Sequence, residues 1–185
     1  MKRKELIANV FVLFLSSTSL HAADFYFGAG LSADGEAGSF RGSLENLDPV
    51  GEDDAWKVFA GGRFGDHLAV EVSRYDFGSQ FCCDRAADLG FTSEVKGVAA
   101  TALGRWPLGR FAPFVKAGAL YWKEDGAFLT FSGEVPASAD GTDLLVGAGL
   151  EVDLPASFTV RADWERYEFG SVHTDGYWAS LLFRF

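Results

Sequence analysis

The chain lacks the features that define helical membrane proteins, nucleic-acid-binding proteins and zinc proteins. Beyond its N-terminal region, no apolar run approaches the roughly 18 to 20 residues that a membrane-spanning helix needs. The 16 basic residues are outnumbered by 26 acidic ones, giving a net charge of −10, so no nucleic acid is expected as a partner. There are three histidines and two cysteines, with no C-x-x-C pair, so we expect neither a bound metal nor another cofactor.

The first 23 residues have the pattern of a cleavable secretory signal peptide. Basic residues at 2–4 precede a short apolar run at 6–15, and small residues at 16–23 allow cleavage after Ala22 or Ala23. We therefore exclude residues 1–23 from the fold. The alternative is a retained N-terminal anchor, but the apolar run is too short to span a membrane. The exported part, residues 24–185, then carries a net charge of −12 and is predicted to form one domain.

The exported part divides into eight segments in which apolar and polar residues alternate. Their lengths are close to the roughly 9 to 11 residues of a tilted membrane strand. The predicted strands are 25–32, 55–64, 68–77, 93–106, 112–122, 142–153, 158–167 and 177–185. Tight turns are predicted at 65–67, 107–110 and 154–157. Longer loops are predicted at 33–54, 78–92, 123–141 and 168–176. Alternating short and long connections are typical of bacterial outer-membrane barrels, in which the short turns are periplasmic.

The polarity of each strand indicates which face meets lipid. In 158–167, four apolar residues alternate with four polar ones, namely Phe158, Val160, Ala162 and Trp164 with Thr159, Arg161, Asp163 and Glu165. Charged side chains cannot face hydrocarbon, so they must point towards a barrel axis. The sequence therefore predicts an all-β fold, an eight-stranded antiparallel up-and-down transmembrane β-barrel of a Gram-negative outer membrane. A soluble sandwich or lipocalin-like barrel is the alternative, and it would place the aromatic residues inside and the charges outside.

The same alternation predicts a set of charged side chains in the lumen. Segment 93–106 is apolar on both faces in its middle, and there we use Lys96 to choose the inward face. The predicted lumen residues are Lys57, Arg63, Glu71, Lys96, Lys116, Asp143, Glu151, Arg161, Asp163, Glu165 and Arg184. An eight-stranded barrel is only wide enough for side chains to fill, so we expect interlocked salt bridges that plug it. The alternative is a gated narrow pore in which pairs such as Arg161 with Glu71 exchange partners.

Several short motifs together resemble a known family. They are K-V-F-A-G-G-R-F at 57–64, L-A-V-E-V at 68–72, D-F-G at 76–78, P-F-V-K-A-G at 113–118, G-A-G-L-E at 147–151, R-A-D-W-E at 161–165 and F-R-F at 183–185. In this order they resemble the eight-stranded transmembrane domain of the outer membrane protein A family, over nearly all of 24–185. The resemblance implies that the lipid-facing residues of the last strand form the signal read by the barrel assembly machinery, namely Tyr177, Leu181, Phe183 and Phe185.

These features favour a structural or surface-interaction role, meaning envelope integrity and binding by the outer loops, without catalysis. One alternative is a low-conductance, porin-like pore or another route for small molecules. A second is a lipid A-modifying enzyme, for which His173 with Ser171 and Asp175 nearby is the candidate group, while His67 lies in a periplasmic turn. No deacylase or acyltransferase signature surrounds His173, so no enzyme activity is expected. We expect a monomer whose partners are outer-membrane lipids, lipopolysaccharide and, during biogenesis, the barrel assembly machinery.

Two features of the predicted loops stay open to more than one interpretation. Cys82 and Cys83 are adjacent, so a vicinal disulfide is favoured, with bonds to another chain, free thiols or a soft-metal site as alternatives. Acidic residues gather in the loops at 33–54 and 123–141. They form either a solvated surface or a site where divalent cations bridge to lipopolysaccharide phosphates.

Overall fold

The computed structural model describes residues 24–33, 50–51, 55–84, 89–130, 133–169 and 172–185, and this part of the chain contains nine β-strands. They are β1 (Asp24–Ser32), β2 (Val50–Gly51), β3 (Trp56–Phe64), β4 (Leu68–Asp84), β5 (Leu89–Arg105), β6 (Phe111–Thr130), β7 (Gly133–Asp153), β8 (Phe158–Phe169) and β9 (Val172–Arg184). Within the described ranges, no helix has both the length and the apolar character to cross a membrane. The predicted signal peptide at 1–23 lies outside the described residues.

Eight long strands close into a barrel, and the two-residue β2 pairs only with the outer part of β4. The strand order is β2-β4-β3-β1-β9-β8-β7-β6-β5, and an additional β4–β5 pairing joins the two ends of the sheet. All pairings are antiparallel, and β1 meets β9 from Tyr26 opposite Arg184 to Ser32 opposite Trp178. Closure leaves no long strand with an unpaired edge, which a lipid environment requires. The predicted eight-stranded antiparallel barrel is confirmed.

The two faces of the barrel have the predicted polarity. On β8, Val160 is 41% exposed, whereas the neighbouring Arg161 and the nearby Glu165 are 0% exposed. The apolar side chains therefore line the outside and the charged ones line the axis, which is the reverse of a soluble barrel. Exposed aromatic side chains lie near both ends of the outer surface, and they include Phe64, Trp106, Phe111 and Phe185 at one end and Trp56, Tyr121 and Tyr177 at the other. Such girdles are typical of the two membrane interfaces.

One predicted face was wrong, that of strand β5. Lys96 was used to choose its inward side, but Ala99, Leu103 and Arg105 are the buried residues and Val98 is 46% exposed. The physical reason is the height of Lys96 in the membrane. It lies nine residues beyond Arg105 towards the outside, close to the outer edge of the apolar band, where an outward charge meets headgroups and water instead of hydrocarbon. Arg105, at the other end of β5, is the charge that points to the axis.

The predicted turns agree with the structure, but the predicted long loops are much shorter. Chain reversals follow β3, β5 and β7 at 65–67, 106–110 and 154–157. On the other side, β6 and β7 pair from Phe111 opposite Val152 to Thr130 opposite Gly133, so most of the predicted loop 123–141 is a paired hairpin. The predicted loop 78–92 is likewise mostly strand, and Cys82 and Cys83 lie within β4. The placement of the two cysteine side chains, and with it the predicted disulfide, is outside the described part.

Candidate functional site

The lumen is the candidate site, and its periplasmic half holds three arginines around two glutamates. Glu151 Oε2 accepts hydrogen bonds from Arg63 Nη2 at 3.0 Å and from Arg105 Nε at 2.9 Å. Its other oxygen accepts from Arg161, at 3.1 Å from Nε and 2.8 Å from Nη2. Arg161 Nη1 also donates to Glu71 Oε2 at 2.7 Å. We call these five residues the arginine cluster, in which Glu151 joins three cations and Arg161 bridges two carboxylates.

Neighbouring side chains complete the arginine cluster. Tyr26 Oη donates to Glu71 Oε2 at 3.1 Å, and Ser73 Oγ donates to Glu71 Oε1 at 3.3 Å. The Arg161 guanidinium lies 4.8 Å from the ring centroid of Phe59 and 5.1 Å from that of Phe114. A cation close to an aromatic ring is attracted by the negative charge of the ring face, so the aromatic residues also stabilise the arginine.

A second ionic group lies further along β8 towards the outer end. Lys57 Nζ and Lys116 Nζ are each 2.8 Å from Asp163 Oδ2. Lys57 Nζ is also 2.7 Å from Glu165 Oε1, and Lys116 forms an ion pair with the same oxygen. We call these four residues the lysine square. It connects β3, β6 and β8 across the barrel, which holds the strands in one register.

Aromatic side chains fill the lumen beyond the lysine square. The Tyr167 hydroxyl donates to Glu165 and accepts a hydrogen bond from Trp178 Nε1 at 2.8 Å. The Tyr75 and Phe77 rings are stacked with centroids 5.3 Å apart, and the Tyr75 and Trp178 rings are 5.8 Å apart at 67°. We call Tyr75, Phe77, Tyr167 and Trp178 the aromatic cap. It packs with buried aliphatic residues, so the outer half of the lumen is filled by apolar groups.

The buried charges within the described residues nearly balance. There are five cations, Lys57, Arg63, Arg105, Lys116 and Arg161, and four carboxylates, Glu71, Glu151, Asp163 and Glu165. Every one of them is within 3.0 Å of at least one group of opposite charge. Buried charges persist only when they are paired in this way, because their desolvation is otherwise too costly. The arrangement is that of a packed interior and not of a hydrated channel.

The structure brings together eight of the eleven predicted lumen residues in the two ionic groups, leaves Asp143 and Arg184 on the inward face but outside those groups, and places Lys96 on the outer face. Lys96 has a side chain that is 42% exposed and forms an ion pair with Glu94 at the outer rim. Asp143 accepts a hydrogen bond from Trp122 Nε1 at 2.7 Å. Arg184 is 3.3 Å from Asp153. Arg184 thus lies at the periplasmic end of the lumen, and Asp143 lies on the outer side of the lysine square.

Arg105 and the aromatic cap are lumen residues that the sequence analysis did not identify. Arg105 lies two residues before the predicted turn at 107–110, as Arg63 lies two residues before the predicted turn at 65–67, and that shared position was the signal that could have fixed the face of β5. Trp178 alternates with Tyr177 on the last strand, and this alternation is the signal in the sequence for its inward face. Its partnership with Tyr167 has no signal in the sequence, because the two residues are brought together only by the β8–β9 pairing.

The described residues among those considered for catalysis are His173, Asp175 and His67, and these are not assembled into a site. His173 is 3.9 Å from Glu168, and its side chain is 64% exposed. Both oxygens of Asp175 accept hydrogen bonds from Arg166, at 2.8 and 2.9 Å, so this carboxylate does not orient His173. Ser171 lies outside the described residues. His67 Nδ1 is 3.0 Å from the Arg105 carbonyl oxygen in the periplasmic turn.

The residues of the predicted assembly signal lie on the outer surface of the barrel, along β9. Tyr177, Leu181, Phe183 and Phe185 follow one another on this face, and the Phe185 ring stacks on Phe25 with centroids 6.4 Å apart.

Among the residues whose side chains are described, no group of three or more metal-binding side chains comes together. Most of the acidic loop 33–54 is outside that part of the chain.

Comparisons of the whole fold find outer-membrane barrels of similar length. Ail, the attachment invasion locus protein of Yersinia pestis, is 17% identical with a TM-score of 0.57, over 88% of this chain and 97% of that one. The N-terminal β-barrel domain of Pseudomonas aeruginosa OprF is 12% identical with a TM-score of 0.57, over 89% and 100%. OprG from Pseudomonas aeruginosa is 15% identical with a TM-score of 0.55, over 89% and 96%. At such identities the likeness shows the fold alone.

Sequence comparisons give the family. A search of curated proteins found no match. The family model described as the outer membrane protein beta-barrel domain matches residues 10–185, which is nearly the whole chain. With the closed barrel, its apolar exterior and its charged interior already established, the protein belongs to the outer membrane protein beta-barrel domain family and is located in the cell outer membrane.

Proposed function

We propose that this protein is a sealed structural barrel of the outer membrane that contributes to envelope integrity, contacts other molecules through its outer hairpins and performs no catalysis. The observation that carries the proposal is the filled lumen. The arginine cluster, the lysine square and the aromatic cap follow one another along the axis and leave all their ionic groups paired. A permeating ion would have to separate several of these contacts at once, at a free-energy cost of several kcal/mol for each buried pair.

The surface role is supported by the length of the outer hairpins. β6 and β7 have 20 and 21 residues, about twice the length that crosses a bilayer, so their ends extend into the medium outside the cell. The Ail protein has also been crystallised with the heparin analogue sucrose octasulfate. This chain carries a net charge of −10, and its β6–β7 hairpin exposes Asp125 and Asp140. Repulsion between like charges disfavours a polyanion here, so we propose neutral or cationic ligands for the hairpins.

Planar-bilayer recording of the refolded protein tests the sealed lumen. The wild type is expected to give no reproducible channels after insertion, which heat-modifiable gel migration of the same sample verifies. The double variant Arg161→Ala/Glu151→Ala removes an inward pair and is expected to admit ions. The matched double variant Arg166→Ala/Asp175→Ala removes an outward pair on β8 and β9 and is expected to stay silent. Wild-type channels that disappear after Glu71→Gln or Arg161→Gln would show that the protein is a pore.

A further inference from the structure

Among the described residues, one arginine on the outer surface of the barrel has no ion-pair partner. Arg74 is exposed on the lipid-facing side of β4, between Val72 and Asp76. Other outward-facing cations of the described strands, Lys96 and Arg166 among them, form ion pairs with carboxylates. Arg74 forms no salt bridge within 4.0 Å in the described part of the chain, although Asp76 is two residues away on the same face. A cation at the membrane surface without a protein partner is available to an anionic ligand.

Arg74 is also the single charged residue in the lining of an apolar groove on the outside of the barrel. Two rows of outward side chains, which run across the strands, form the groove. One row contains Phe183, Phe27 and Ala60, and the next contains Ala29, Val58 and Arg74. The alanines leave the space, and the phenylalanines bound it at one end. With neighbouring strands about 4.8 Å apart, the groove crosses β9, β1, β3, β4 and β5 over roughly 20 Å, which suits an extended acyl chain.

The position of Arg74 along β4 places its side chain within reach of the outer-leaflet headgroups. It lies six residues beyond Leu68, which follows a periplasmic turn, so a tilted strand raises its Cα about 16 Å into an apolar band about 25 Å tall, and the long arginine side chain extends from there towards the outer surface. Val98, the β5 partner of Arg74, pairs with Tyr121, and Trp56 lies opposite Asp76. Both aromatic residues are exposed, and such residues are typical of the headgroup level. A guanidinium that extends to this level lies where lipid phosphates are found.

We propose that the groove holds an acyl chain of lipid A while Arg74 binds one of the lipid A phosphates. Lipid A carries phosphates and acyl chains on the same sugars, so a cation at the outer end of an apolar groove matches both parts of the molecule. Arginine suits this task because its planar fork donates two hydrogen bonds to a phosphate. Lys96 lies beside Arg74 and faces Lys123 of β6, but both lysines form ion pairs with carboxylates, so the proposed phosphate site depends on Arg74. This site is on the outer surface, so it is independent of the sealed lumen.

Native mass spectrometry of the refolded protein in detergent tests the site, with diphosphoryl lipid A, lipid A without phosphates, and phosphatidylglycerol as probes. We expect diphosphoryl lipid A to bind with the lowest Kd of the three. Arg74→Gln is expected to raise that Kd about tenfold, which corresponds to about 1.4 kcal/mol. Arg166→Gln is the matched control, since it removes another outward arginine that already pairs with Asp175, and its Kd is expected to equal that of the wild type. Heat-modifiable migration confirms that each variant is folded.

A second pair of variants tests the groove itself. Ala60→Phe fills the groove on β3 and is expected to weaken the binding of diphosphoryl lipid A, whereas Ala162→Phe on the outer surface of β8 is expected to leave it unchanged. Wild-type affinity in Arg74→Gln would overturn the proposal. Equal affinities for phosphatidylglycerol and diphosphoryl lipid A would overturn the assignment of lipid A as the occupant.

Discussion

Replacing Glu151 with glutamine is expected to be among the most destabilising single changes in this barrel. Glu151 is 1% exposed and accepts hydrogen bonds from Arg63, Arg105 and Arg161. The Glu151→Gln variant keeps the shape of the side chain but leaves those three guanidinium groups with Glu71 as the one carboxylate of the arginine cluster. The amide nitrogen of the glutamine is a hydrogen-bond donor, and it would face guanidinium groups that are also donors. The neutral side chain therefore leaves buried positive charge without compensation.

The size of the effect follows from the cost of removing one partner of a buried ion pair, about 3–5 kcal/mol. The estimate is not multiplied by three, because the contacts to one carboxylate are coupled and not additive. With a urea dependence of about 2 kcal/mol per molar, the midpoint of unfolding is expected to fall by about 2 M. The measurement is equilibrium urea unfolding of the protein in lipid vesicles, followed by tryptophan fluorescence.

Asp153→Asn is the matched control for this experiment. Asp153 is two residues from Glu151 on the same strand, but its side chain is 33% exposed and lies 3.3 Å from Arg184. A solvent-exposed ion pair contributes about 0–1 kcal/mol, so this variant is expected to unfold at almost the wild-type urea concentration. Equal shifts for Glu151→Gln and Asp153→Asn, or a loss below about 1 kcal/mol in Glu151→Gln, would refute the idea that the arginine cluster depends on one central carboxylate.

Two further predictions concern the lysine square and the packing of β5 against β6. Each of the single variants Lys57→Met and Asp163→Leu leaves an unbalanced buried charge, whereas the double variant Lys57→Met/Asp163→Leu is neutral. The loss of unfolding free energy in the double variant is therefore expected to be smaller, by at least about 1 kcal/mol, than the sum of the losses in the two single variants. Additive losses in a double-mutant cycle from urea unfolding would contradict this. Gly118→Ala is expected to lower the free energy of unfolding by about 1–3 kcal/mol, because the new Cβ would lie 2.0 Å from the Ala100 carbonyl oxygen. Gly62→Ala is the control. A Cβ at Gly62 would have its nearest atom 3.5 Å away, so this variant should unfold like the wild type.

The strands and most of their faces could be predicted because the membrane imposes a simple rule on sequence. Where one side of a strand meets hydrocarbon and the other meets a crowded axis, every second residue must change polarity, as it does from Phe158 to Glu165. Lys96 broke the rule because it lies where the hydrocarbon ends, so that the outer face of β5 meets polar surroundings while its inner face packs against the aromatic cap. The lengths of the outer hairpins were missed for the same reason, since paired strands in water need no alternation.

The partners inside the lumen could be predicted only in part. The charged residues were recognisable one by one, and Arg161 with Glu71 was named as a possible pair, which the structure brings to 2.7 Å. Which charges meet depends on how far neighbouring strands are staggered around the barrel, and no local pattern encodes the stagger. The central position of Glu151 among three arginines, which come from β3, β5 and β8, is therefore a property of the closed barrel.

The length of the β6–β7 hairpin has a practical consequence for presenting foreign peptides on a cell. Beyond Tyr121, the two strands remain paired for nine more residues of β6, which carries their end roughly 20–25 Å away from the headgroups. The register is already set lower down by pairs such as Lys116 with Gly147, inside the bilayer. An epitope or affinity tag inserted where the hairpin reverses would thus be displayed well clear of the lipid, with the folding information of the host scaffold left intact.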